Sequence, residues 1–191
     1  VVLSLCETLN YLHETLKVCH RDIKPENLIL VSSDDDINFK LADFGYAKRC
    51  DGKNGILVGK YGTPNFMAPE MHHQCGGHGT SVDMWSCGVV MYILLGGYAP
   101  FDEESMPALV DLITTAQHEF HDESWSNVSD EAKSLIRQML SVDPNEPITA
   151  AQALQHAWFS SLSPNQLQQL PLKQAPTKLQ TFHPTTTTQG V

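Results

Sequence analysis

The chain has 191 residues and 41% of them are hydrophobic, which is enough for one domain with a sizeable core. Its formal net charge is −10. That balance argues against electrostatic binding of nucleic acid and against docking on anionic membranes.

Apolar residues at 2, 5, 9, 12 and 16 predict an opening helix. Next comes "CHRDIKPENLIL", residues 19–30, where a His, an Arg, an Asp, a Lys, a Glu and an Asn crowd against an apolar run. A surface loop would scatter such groups and a core strand would exclude them. A catalytic loop needs both, because it aims charges from a rigid base. "LILV" then reads as a strand, "SSDDD" as a turn and "INFKLAD" as a second strand.

Residues 43–70 hold five glycines, two prolines and little periodicity. A long irregular segment inside a domain is usually functional or disordered. Residues 81–95 read as a buried helix ended by Gly96 and Gly97, and 105–117 as an amphipathic one. Its longest apolar run, 87–95, is far too short to span a bilayer. Ser129 fits an N-cap, with Asp130 and Glu131 at the positive end of a helix running to about Leu140. Thr149 and Gln152 form a capping-box pattern for a last helix to about Ala157. From Ser160 the chain is rich in Gln, Pro and Thr, and 160–191 reads as a disordered tail behind a domain over 1–159.

The five cysteines are odd in number and scattered, with no C-x-x-C pair, so no disulfide framework is read. With no secretory signal at its start, the chain fits a reducing compartment, the cytoplasm, with the nucleus left open. His72, His73, Cys75 and His78 could ligate zinc, but without paired spacings an exposed loop is the plainer reading.

In order along the chain stand "HRDIKPEN" at 20–27, "DFG" at 43–45, "GTPNFMAPE" at 62–70 and "DMWSCGVVMYILLGGYAPF" at 83–101. Together they resemble the C-terminal lobe of a eukaryotic protein kinase. Lys24 after "HRDI" is like the serine/threonine class, and "GYAPF", "VSDEAKSLIRQML" and "ALQHAWF" resemble the calcium/calmodulin-dependent group. The resemblance implies a mostly α-helical fold, with a short β-hairpin at the catalytic loop. It also implies ATP as phosphate donor, Mg²⁺, and protein substrates with Ser or Thr. Asp22 resembles the residue that orients or receives the substrate hydroxyl proton, and Lys24 the charge beside the transferred phosphoryl group. Asn27 and Asp43 resemble oxygen ligands of Mg²⁺. His20, Arg21, Phe44 and Gly45 resemble structural or regulatory parts of the motifs. Asp83 resembles the helix carboxylate that holds the catalytic loop. Glu26 and Thr63 resemble substrate-site residues, and Glu26 with Glu103 and Glu104 points to an Arg upstream of the acceptor.

The sequence also departs from the family. A kinase holds ATP with a Gly-rich loop and a strand lysine. Neither has room before the opening helix, so the expectation is a fragment lacking the N-terminal lobe, with a non-catalytic binding module as the alternative. Glu70 resembles a carboxylate that the family pairs with an Arg in D-P-x-x-R, but Pro147 stands at that place. Gly59 stands where several relatives carry a phosphorylatable Thr, so Arg21 has no such phosphate to hold. Beyond residue 160 only Lys173 and Lys178 are basic, so the tail lacks the basic amphipathic helix of a calmodulin target.

Overall fold

A computed structural model describes residues 1–32, 35–50, 55–72, 77–142 and 148–161 of the chain. Helix α1 (Val2–Asn10) buries Val2, Leu5, Cys6 and Leu9 and runs into a π-helical turn, Tyr11–Thr15. The wider turn, closed by Leu16 N–H donating to the Tyr11 carbonyl, alters the predicted stripe. Leu12 and His13 are buried, whereas Leu16 is 38% exposed.

Strand β1 (Val18–Cys19) leads into the polar loop, and a 3₁₀ turn at Pro25–Asn27 leads out of it. Strands β2 (Leu28–Ser32) and β3 (Asp35–Leu41) then pair as an antiparallel hairpin, Leu28 opposite Leu41 and Leu30 opposite Phe39. The register shifts between Leu30 and Ser32, so Ser32 meets Asp35. The second strand therefore starts two residues earlier than the sequence predicts, taking Asp35 and Asp36 out of the expected turn. Ser33 and Asp34 lie outside the described residues.

The irregular segment contains more order than its composition predicts. Strand β4 (Lys48–Arg49) pairs antiparallel with β1, Cys19 opposite Lys48. Leu57 and His78 form an isolated bridge, and Pro64–Phe66 is a 3₁₀ turn before the four-residue helix α2 (Pro69–His72).

The core is organised around helix α3 (Ser81–Gly96), which is buried along nearly its whole length. An almost continuous apolar run has no polar face to offer water, so such a helix must be central. It ends where Gly97 takes φ +82° and donates its N–H to the Ile93 carbonyl, a left-handed cap that glycine adopts without strain. Around it pack α1, α5 (Asp122–Trp125) and α6 (Asp130–Met139), while the amphipathic α4 (Met106–Thr114) packs against α2. Ser129 caps α6 by accepting from the Ala132 N–H. Helix α5 was not anticipated. Trp125 anchors it, fully buried against Tyr92 and Phe120 at 4.6 Å between ring centres, with its N–H donating to the Tyr98 hydroxyl.

The predicted last helix is α7 (Ala150–Leu154), shorter than expected, and a further helix, α8 (Ala157–Ser161), follows it into the start of the predicted tail. Thr149 and Gln152 form the complete capping box of α7. The break follows because His156 Nδ1 accepts from the Trp158 N–H, while Trp158 and Phe159 turn into the core. The rest of the predicted tail, 162–191, lies outside the described residues. No described helix is long and apolar enough to cross a membrane.

Candidate active site

One buried carboxylate organises the polar loop. Asp83, near the start of α3, is fully buried. Its Oδ1 accepts from the Arg21 N–H and its Oδ2 from the His20 N–H, both at 2.8 Å. His13 Nε2, delivered by the π turn, lies 2.8 Å from the same Oδ2. Burial alone would raise the Asp83 carboxyl. The His13 hydrogen bond and charge, with the two backbone N–H groups, outweigh it and hold the carboxyl below its ordinary value. A buried carboxylate with three donors is a rigid peg from which residues 20–22 hang. Arg21 takes φ +70°, a left-handed turn for a non-glycine residue, and it is this peg that sustains it.

His20 ties the loop to the following segment. Its Nδ1 accepts from the Asp22 N–H at 3.3 Å, so Nε2 carries the proton and donates to the Ala42 carbonyl at 3.1 Å. The ring also meets Phe44 edge-on at 4.7 Å. The Arg21 side chain turns the other way. Its Nε donates to the Tyr46 carbonyl at 2.6 Å, and its guanidinium lies 4.5 Å from the centre of the Tyr61 ring. A cation over an aromatic face is held without any phosphate.

Asp22 is the focus of the site and is 4% exposed. Its Oδ1 accepts from both the N–H and the hydroxyl of Thr63, each at 3.0 Å. Its Oδ2 lies 2.9 Å from Lys24 Nζ and accepts from Asn27 Nδ2 at 3.2 Å. Lys24 Nζ also donates to Thr63 Oγ1 at 2.8 Å, which closes a ring of three side chains. Thr63 can come this close because Gly62 precedes it. Gly62 sits at φ +110°, and a Cβ there would collide with the Arg21 carbonyl. The segment is pinned further on, where Asn65 donates to the Phe101 carbonyl and Ser86 Oγ to the Phe66 carbonyl.

Asn27 spends its Nδ2 on the carbonyl and carboxylate of Asp22, which leaves Oδ1 as the atom that can meet a cation. Its own carbonyl accepts from the Ala42 N–H at 2.9 Å, which sets Asp43 beside it. Asp43 is exposed at φ +59°, and its Oδ1 accepts from the Gly45 N–H at 3.2 Å. A carboxylate and an amide oxygen on adjoining segments are donors of the kind that hard Mg²⁺ takes, so the residues present fit that ion.

The remaining predicted residues lie further out. Glu26 is exposed on the 3₁₀ turn, and Glu103 and Glu104 are exposed beyond Phe101. Glu70 is half-buried at a cavity of about 450 Å³ lined also by Trp85, Met139 and Ile148. No ion pair reaches it among the described residues, and Pro147 lies outside them. Of the possible zinc ligands, His78 is buried with its backbone bridged to Leu57, whereas His73 and Cys75 lie outside the described residues. Among the described residues no three such groups converge on a metal position. Three contributors escaped the sequence reading: His13, the Tyr46 carbonyl and the Tyr61 ring. Each acts across a large gap in sequence, and no local pattern marks it.

Comparison with known proteins gives the family. The model of the protein kinase domain matches residues 1–159. The chain is 44% identical over 156 residues to the calcium/calmodulin-dependent protein kinase type II alpha chain of Drosophila melanogaster. It is 41% identical over 157 residues to the type II subunit delta of Oryctolagus cuniculus. Each alignment covers 82% of this chain and 29% of the relative, so the chain spans under a third of the length of the curated relatives it matches. With one buried aspartate hanging the loop, a second held by Thr63 and Lys24, and these likenesses, the chain belongs to the protein kinase family and is most like the calcium/calmodulin-dependent serine/threonine kinases.

Proposed function

We propose that this chain is the catalytic and substrate-binding half of a serine/threonine protein kinase, which transfers the γ-phosphate of ATP to protein hydroxyls. The observation that carries the reading is the setting of Asp22. Its carboxylate is buried yet bonded on both oxygens, and Lys24 stands 2.9 Å away. Phosphoryl transfer needs positioning and charge neutralisation more than covalent help. Asp22 Oδ1 and Oδ2 orient an incoming Ser or Thr hydroxyl and take up its proton as the oxygen bonds to phosphorus. Lys24 presents a fixed positive charge to the oxygens of the moving phosphoryl group. Thr63 spaces the two groups by bonding both. Asn27 Oδ1 and Asp43 would hold Mg²⁺, which when bound neutralises charge on the phosphate oxygens.

The Gly-rich loop and strand lysine that hold ATP in this family are not among these 191 residues. The proposed reaction therefore belongs to the full-length protein that carries this chain. Glu26 gives the substrate preference, for an Arg a few residues before the acceptor. Calmodulin appears in the relatives' names, but residues 160–191 offer only Lys173 and Lys178, and calmodulin control is not part of the reading.

The test is phosphate transfer to Ser- and Thr-containing peptides by the full-length protein, with Asp22→Asn as background. Turnover of the order of 1–100 s⁻¹, as kinases show, and lost in the variant, is the expected result. Equal, background-level transfer in both would favour a non-catalytic binding module.

A further inference from the structure

We propose that Cys19 and Cys50 form a disulfide driven by peroxide, which makes Cys50 an oxidation-sensitive site at the root of the catalytic loop. The inference does not rest on the kinase reading, only on the ribbon of β1 and β4. In that ribbon Cys19 stands opposite Lys48, and the Cys50 N–H donates to the Lys17 carbonyl at 2.7 Å. Side chains alternate along a strand, so Cys50, two residues after Lys48, shares a face with Cys19 as its diagonal neighbour. Diagonal neighbours sit wider than a relaxed disulfide, so closing the bond requires the two short strands to draw together.

The two thiols differ in the way that such a reaction needs. Cys50 is half-buried and Cys19 fully buried. The Cys50 thiol donates to the Lys48 carbonyl at 3.8 Å. The Cys19 thiol donates to the Gly79 carbonyl at 3.6 Å. The neighbouring Cys19 brings the Cys50 thiol down to about 7, against the opposing effects of burial and Asp83. The neighbouring Cys50, then burial and the Asp83 charge, pushes the Cys19 thiol far up. The accessible thiol is thus the more acidic of the two, and the buried one the less acidic. The other close pair, Cys6 and Cys87, has its sulfurs 4.0 Å apart but is sealed in the core. The Cys6 bond and burial hold Cys87 well above the ordinary thiol value, and both sulfurs lack access to solvent.

The chemistry balances with hydrogen peroxide as oxidant. The Cys50 thiolate attacks one peroxide oxygen. An S–O bond forms, the O–O bond breaks, and the departing hydroxide takes a proton to leave as water. The Cys19 sulfur then attacks the Cys50 sulfur. The S–S bond forms, the S–O bond breaks, and the hydroxyl leaves with the Cys19 proton as a second water. The product is a covalent ring from residue 19 to residue 50, with Asp22, Asn27 and Asp43 inside it.

The experiment treats the 191-residue chain with a small excess of hydrogen peroxide at pH 7, blocks free thiols by alkylation and maps peptides without reduction. The expected result is the loss of two hydrogens per chain in a Cys19–Cys50 cross-linked peptide, reversed by dithiothreitol. In Cys50→Ser, Cys19 should stay a free thiol under the same treatment. Cys50 recovered as free thiol or as sulfinic acid with Cys19 free, or joined instead to Cys75, would overturn the proposal.

Discussion

At the scale of single residues, the exposure of Glu26 limits the size of the substrate preference proposed for it. A solvent-exposed carboxylate facing an Arg forms a screened ion pair, and such pairs contribute about 0.2–1 kcal/mol. Glu26→Gln should therefore lower the full-length protein's preference for Arg-containing peptides by about fivefold or less. A peptide-library comparison of the two proteins checks this. An unchanged preference would remove Glu26 from substrate choice. Sequence alone placed Asp22, Asn27 and Asp43 in motifs of fixed spacing, because their chemistry is local to the loops that carry them. It could not show Tyr61 beneath the Arg21 guanidinium, since those residues meet only after the segment folds back. Nor could it show that Thr63 bonds both Asp22 and Lys24.

At the scale of elements, the account turns on α3 as a buried post with a carboxylate near its head. Asp83→Ala would leave the His20 N–H, the Arg21 N–H and the His13 ring facing an empty space. Each buried unmade bond costs about 1–3 kcal/mol, so a loss of about 3 kcal/mol or more is expected. Denaturant unfolding of the 191-residue chain measures it, and a loss under about 1 kcal/mol would mean that the loop is held elsewhere. Helix α3 was legible because a long apolar run with a glycine stop has one reading. The hairpin, the cap at Ser129 and the capping box at Thr149 were legible for the same reason, as short-range chemistry. The π turn that delivers His13 was not, because its inserted residue is stabilised by the buried Asp83 and not by local propensity. The short α5 and α8 were missed because their buried aromatics, Trp125 and Trp158, fix them through tertiary contact.

At the scale of the whole molecule, three buried or partly buried groups link folding to pH in one direction. Burial lowers His78 and His118 below the usual imidazole value, and Asp83 is held below the usual carboxyl value as described above. Each group binds fewer protons folded than unfolded, so stability rises with pH. The histidine contribution is complete above about 6.5, the unfolded value, and is lost as pH falls through the lower folded values. Asp83 follows at more acidic pH, below about 3.9. The unfolding midpoint should therefore fall from pH 7 to pH 5, and His118→Gln should flatten that slope. An unaltered slope in the variant would contradict the assignment.

The proposed function divides labour between two carboxylates, the buried Asp22 for the hydroxyl and the exposed Asp43 for the metal. The most direct measurement is nucleotide affinity and phosphate transfer in Asp22→Ala and Asp43→Ala of the full-length protein, with Mg²⁺ present. Asp43→Ala should lose Mg²⁺-dependent nucleotide affinity. Asp22→Ala should bind nucleotide within a few-fold of normal while transfer falls by about 10²–10⁴-fold, the usual worth of positioned acid–base help. Equal loss of nucleotide affinity in both variants would contradict the account.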